Sequence, residues 1–162
     1  MPSMKAARFH VARDIRIEDE EIPLPTADQA LVAVEWCGLC ASDLHEYLHG
    51  PLAVPTQPHP LSDEKLPVIM GHELARRILE APRNSSLAPG QPVMVDPQLY
   101  CLSCATCQKG LTHGCEKWGF LGLSGRGGDL SEAVAVDTAR IHPLPDSVDL
   151  SVAALLEPLA VA

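Results

Sequence analysis

Aromatic residues are scarce, at 4% of a 162-residue chain. Basic residues are scarce too: 12 Lys and Arg stand against 21 Asp and Glu, for a formal net charge of −9, and no Lys/Arg run offsets it. That balance argues against nucleic acid and acidic membrane surfaces as partners. No apolar stretch approaches the roughly 20 residues needed to cross a bilayer. Charges are mixed into every apolar run from Met1 to Glu21, unlike a signal peptide. These absences predict a cytoplasmic, soluble protein with reduced cysteines. A G-x-G-x-x-G fingerprint is also missing: Gly125-Arg126-Gly127-Gly128 is followed by Leu130 where the third glycine belongs.

The length suits one domain with a real core. Its 15 prolines and 11 glycines favour a loop-rich β architecture over a helix bundle. Strands are expected at Lys5 to Val11, Asp14 to Glu18, Ala30 to Cys37, Pro92 to Val95 and Leu130 to Val136. A short amphipathic helix is expected from Ser42 to Leu48, with Ser42 as its N-cap. A second helix is expected from Asp149 to Leu156, interrupted or restarted by Pro158. Gly50 to Pro67 reads as a long proline-rich loop, and Gly119 to Gly128 as an irregular one. Leu74 to Ala81 is ambiguous, because its apolar residues at 74, 75, 78 and 79 fit a helix face better than a strand.

The most legible stretch is C-L-S-C-A-T-C-Q-K-G-L-T-H-G-C, Cys101 to Cys115. Cys101, Cys104, Cys107 and Cys115 have the spacing of a four-thiolate metal site, which is closed and therefore structural. Zinc is the favoured ion, with an iron–sulfur cluster as the main alternative. Disulfides are disfavoured, since cysteines this close would form small strained rings.

A second constellation lies in Cys40-Ala41-Ser42-Asp43-Leu44-His45 and Gly71-His72-Glu73. Cys40 and His72 are good zinc ligands, and Glu73 or the distant Glu157 can supply an oxygen. Three protein ligands would leave a position for water or substrate. Asp43 suits a carboxylate orienting the His72 ring through its other nitrogen. Ser42 and His45 suit a hydroxyl-to-imidazole proton path. Spacing alone leaves the bland reading open: a buried thiol, a surface imidazole and, at Glu157, a solvated helix end.

The ordered set G-L-C-A-S-D-L-H-E-Y, G-H-E, the four-cysteine stretch, G-F-L-G-L-S-G and L-L-E-P-L-A-V-A resembles the medium-chain zinc-dependent alcohol dehydrogenases. Within them it is most similar to the butanediol and sorbitol (polyol) branch. The resemblance implies a mainly β fold with short helices, a GroES-like β-barrel with a zinc-binding cysteine lobe. It implies a catalytic domain over 1–157, with the lobe at about 97–120, and at 158–162 the start of a connection to a Rossmann domain. It makes Cys40 and His72 ligands of a catalytic zinc, with Glu73 and Glu157 as the carboxylates at that metal. Ser42 becomes the hydroxyl beside the substrate, His45 a proton-relay residue and Asp43 a supporting carboxylate. Cys101, Cys104, Cys107 and Cys115 become ligands of a structural zinc. The implied reaction is NAD(P)-dependent oxidation of a small-molecule alcohol, a vicinal diol or polyol, to a ketone. Homo-oligomerisation is compatible with it.

Two departures qualify the resemblance. The family's Rossmann domain follows the segment at which this sequence stops, so the isolated chain is expected to be inactive without a cofactor domain. The family also has a small residue and then glycine where Ala75 and Arg76 stand, and a further glycine and an aromatic where Asp129 and Leu130 stand. Arg76 is therefore expected to crowd the backbone packing. Leu74 to Ala81 is read as a strand on the strength of the family fold. The alternative function is a zinc-binding β-barrel without catalysis, a truncated product or interaction module. A thiol redox role for Cys101 to Cys107 ranks below both.

Overall fold

Ten short strands and four short helices follow one another in a computed structural model that describes residues 2–162. In chain order they are β1 (Ser3–Val11), β2 (Asp14–Glu21), β3 (Gln29–Gly38), α1 (Ala41–His49), β4 (Val68–Ile69), β5 (Glu73–Glu80) and β6 (Pro92–Val95). Then come β7 (Gln98–Leu99), α2 (Ala105–Gln108), β8 (Gly119–Phe120), β9 (Ala133–Asp137), β10 (Ile141–Pro143), α3 (Leu150–Ala153) and α4 (Leu156–Val161). Single 3-10 turns at Thr112–Gly114 and Thr138–Arg140 complete the set. The predominance of strands agrees with the β fold expected from the sequence. No helix among the described residues is long and apolar enough to cross a membrane.

All strand pairings are antiparallel. A five-stranded sheet runs β10-β6-β5-β3-β9, a three-stranded sheet β2-β1-β4, and β7 pairs with β8. An Ala6–Ser131 bridge and an Ala7 N–H to Leu130 carbonyl bond (2.7 Å) link β1 to the segment before β9. The main core gathers Ala30 and Val32 from β3, Leu74 and Ile78 from β5, Val93 and Val95 from β6, and Val134 and Val136 from β9. Each fully buried aliphatic side chain here contributes roughly 1.5–3 kcal/mol. A second cluster joins Phe9, Val54, Val68, Met70 and Leu123, and a third packs Ala75 beneath Leu150, Ala153 and Ala154.

The ambiguous stretch is strand β5, hydrogen-bonded to β3 on one side and β6 on the other. Its apolar residues fail to alternate because Leu74 and Ile78 enter the main core, Ala75 lies under α3, and Leu79 falls at a register irregularity and is exposed. Three other expectations are corrected. The N-cap of α1 is Cys40, and Ser42 sits inside the first turn, because β3 ends at Gly38 and the chain turns two residues sooner. Asp43 then accepts a hydrogen bond from the Cys40 N–H (3.1 Å). The strand expected from Leu130 begins only at Ala133, since Leu130 is used to bridge β1 and Met70. The C-terminal helix is two helices, with Asp149 capping α3 by accepting from the Ser151 N–H (2.9 Å). Pro158 falls in the first turn of α4, where no N–H is needed.

The Arg76 side chain turns into the interior. Strand alternation puts it on the face of Leu74 and Ile78, inside the barrel, with its side chain 0% exposed. There it meets the carboxylate of Asp129, whose side chain is equally buried. The two residues that depart from the resemblance drawn in the sequence are each other's partners.

Candidate metal centres

The cysteine lobe is built by a connection that leaves the barrel at β7 and returns at β8. Cys104 caps the one-turn helix α2, Cys107 lies within it and Cys115 ends the 3-10 turn, so local turns aim four sulfurs inward. The ligand atoms of Cys101, Cys104, Cys107 and Cys115 all lie within 4.8 Å of one another. Cys115 and Cys101 sulfurs are 3.6 Å apart and those of Cys101 and Cys107 4.0 Å. Four sulfurs at zinc–thiolate bond lengths would stand about 3.8 Å apart, whereas a disulfide needs about 2 Å. Backbone N–H groups support thiolate charge: Cys104 donates to Cys101 (3.3 Å) and Lys117 to Cys115 (3.3 Å). Hydrogen bonds from Ser103, side chain first, bring the Cys101 pKa down to about 5. Burial pushes Cys107 up to about 12, a cost that a cation among the four sulfurs would reverse.

The second centre depends on pairing across the sheet. The register of β3 against β5 sets Gly38 opposite Glu73, and this brings the residues following β3 beside those preceding β5. The ligand atoms of Cys40, His72 and Glu73 fall within 4.8 Å of one another. The strands approach closely at Gly38: a Cβ there would stand 2.1 Å from a Glu73 carboxylate oxygen and would displace it. His72 is 3% exposed, its Nδ1 faces Asp43 Oδ1 at 3.8 Å, and its Nε2 is 3.4 Å from Ser42 Oγ. One ring nitrogen thus faces a carboxylate and the other the Ser42 hydroxyl, an arrangement compatible with a metal-binding imidazole. Burial pushes the Asp43 pKa up, opposed by His72.

The remaining expected residues are more peripheral. His45 lies one turn beyond Ser42 on α1 and is exposed. Glu157, on the first turn of α4, is half-buried and does not join the cluster of Cys40, His72 and Glu73. It is near enough to interact with them: burial raises its pKa, and the charges of His72, Glu73 and Asp43 modulate it. Glu157 lines a cavity of about 530 Å³ with Gln98, Trp118 and Phe120. On the other side of Cys40, Ile15, Leu39, Leu44, Tyr47 and Met70 line an apolar cleft of about 600 Å³.

Three side chains escaped the sequence reading. Phe120 packs edge-on against His72, centroids 5.1 Å apart, and Trp118 packs on Phe120. The aromatic pair in W-G-F, directly after the fourth cysteine, was the available signal. Glu46, 2% exposed, accepts N–H bonds from Leu52 (2.9 Å), Ala53 and Val54 (3.3 Å), fastening the proline-rich loop to α1.

Comparison with known proteins agrees with this geometry. Residues 26–146 match the model of the alcohol dehydrogenase GroES-like domain. The chain is 43% identical over 161 residues to (R,R)-butanediol dehydrogenase of Bacillus subtilis, covering 98% of this chain and 45% of that protein. The crystal structure of 2R,3R-butanediol dehydrogenase from Bacillus subtilis superposes with a TM-score of 0.89 at 42% identity, over 98% of this chain and 45% of that one. A putative zinc-binding dehydrogenase from Sinorhizobium meliloti, bound to NADP, gives 0.85 at 32% identity over 99% of this chain and 44% of that one. The chain spans about half the length of the curated relatives it matches. From the matched family model, the strand arrangement and the two ligand clusters together, the chain belongs to the alcohol dehydrogenase GroES-like domain family.

Proposed function

We propose that this chain is the zinc-holding portion of an NAD(P)-dependent dehydrogenase that oxidises a secondary alcohol of a vicinal diol or polyol, of the 2,3-butanediol or sorbitol type, to a ketone. The observation that carries this reading is the convergence of Cys40, His72 and Glu73 beside Ser42, in a cluster distinct from the all-cysteine lobe. A thiolate, an imidazole and a carboxylate fit zinc with a position left for an exchangeable ligand. Zinc bound there would supply Lewis acidity toward the alcohol hydroxyl, and a bound nicotinamide would supply the hydride acceptor.

The chain's own residues bind and orient. Cys40, His72 and Glu73 hold the ion, and Glu157 is a further carboxylate within electrostatic reach. Ser42 Oγ stands beside the His72 ring, placed to take the hydroxyl proton of a substrate. His45 shares the same helix face three residues on and is exposed, placed to pass that proton to water. Asp43 Oδ1 faces the buried Nδ1 of His72. Cys101, Cys104, Cys107 and Cys115 hold a second zinc whose task is structural. On this reading residues 1–157 form the catalytic unit and 158–162 lead to a nicotinamide-binding region, and the protein is cytoplasmic. The butanediol dehydrogenase relatives support the substrate class, and the NADP-bound neighbour supports the nicotinamide.

Elemental analysis tests the reading directly. Two zinc ions per purified chain are expected, falling to one in His72→Ala. With cobalt at the Cys40 centre, 2,3-butanediol should perturb the visible spectrum. One zinc per chain in both proteins, or a spectrum blind to the diol, would overturn it.

A further inference from the structure

The fold brings Arg76 and Asp129, two charged residues standing where the resemblance led to the expectation of glycines, into direct contact in the interior. Both side chains are 0% exposed, and among the described residues no other group hydrogen-bonds to their charged atoms. Full burial disfavours both charges, and the direct partner is what offsets that. Each residue is therefore tolerable only with the other present.

The pair also closes a ring around His72. The Asp129 N–H donates to the Gly71 carbonyl (3.0 Å), and the Leu130 N–H to that of Met70 (2.9 Å). The segment carrying Asp129 presses on this stretch: a Cβ on Gly128 would stand 2.4 Å from the carbonyl oxygens of Ile69 and Met70. From Gly71 the chain passes through His72 and Glu73 into β5 and reaches Arg76, whose guanidinium returns to Asp129. Backbone bonds at one end and the ion pair at the other fix the short span on which two residues of the Cys40 cluster sit.

We propose that the Arg76–Asp129 pair acts as a clasp that positions His72 and Glu73 for metal. Neither residue touches the metal or substrate, and both are positioning residues. The inference rests on the metal-centre reading above.

The test compares the parent with Arg76→Gly, Asp129→Gly and the double variant, with zinc retained in the cysteine lobe. The readout is cobalt(II) affinity at the Cys40 centre, by chelator competition, on protein confirmed folded by circular dichroism. Each single variant should bind cobalt about tenfold to a hundredfold more weakly, with lobe zinc unchanged. The double variant should return to within about threefold of the parent, because it strands no charge. Should a single variant fail to fold, Arg76→Lys takes its place, keeping the charge but losing the planar fork, and should still weaken cobalt binding. Singles that bind like the parent, or a double that is unfolded or as weak as the singles, overturn the clasp. A change in melting temperature with unchanged affinity also overturns it. A parent that takes no cobalt at Cys40 overturns the metal-centre reading itself, and the clasp with it.

Discussion

Asp43 Oδ1 and His72 Nδ1 stand 3.8 Å apart, both buried, and among the described residues neither atom has a hydrogen-bond partner. A small shift of the imidazole on binding metal would join them. Asp43→Asn keeps the shape and removes the charge. It should weaken zinc at the Cys40 centre about 10- to 100-fold and leave the lobe zinc in place. Zinc content after dialysis against a graded chelator series checks this, and equal retention by both proteins would count against the pairing.

The lobe is a separate module. On the proposed reading, Cys104→Ser removes one sulfur from a four-thiolate zinc site. The variant should lose that zinc and melt lower by about 5 °C or more. The same melting temperature and zinc content as the parent would show that the four thiols hold no metal.

Glu46 tests the loop rather than the metals. Its buried carboxylate accepts from three consecutive N–H groups, at Leu52, Ala53 and Val54. Glu46→Ala leaves those donors unpaired and should cost about 2–4 kcal/mol. Urea denaturation measures it, with Glu46→Gln expected to recover part of the loss.

A pH-dependent prediction comes from Glu64, whose pKa burial raises above its ordinary 4.5, with the Arg126 N–H (2.6 Å) opposing. A carboxyl with a raised folded pKa favours the fold while protonated. That contribution is full below the unfolded value and disappears as pH rises through the folded one. Glu64→Gln, which retains an acceptor oxygen, should therefore gain stability relative to the parent between pH 4 and pH 7. Urea midpoints at the two pH values decide it: a difference that does not change with pH would show that the Glu64 pKa is not raised in the fold.

How legible these features were depended on how local they are. The lobe could be read directly because Cys101 to Cys115 converge through turns of their own segment. Strands β1, β3 and β6 carried their own β-rich patterns. Cys40 and His72 were weak by spacing, since only the pairing of Gly38 with Glu73 unites them, and that register is a property of the sheet. The two-residue strands β7 and β8 are too short to carry a period. Arg76 and Asp129 appeared as two separate violations because nothing in the local sequence says that they meet.

Strand β3 is joined to β9 from Gln29–Asp137 to Ala33–Ala133, so that seam must wait for nearly the whole chain. The cysteine lobe needs only the residues between Cys101 and Cys115, and closing a shorter loop costs less entropy. On a ribosome the lobe's thiols emerge before β9 does. With the lobe as the proposed zinc site, metal capture there would precede closure of the barrel and give the late-pairing strands an already ordered neighbour.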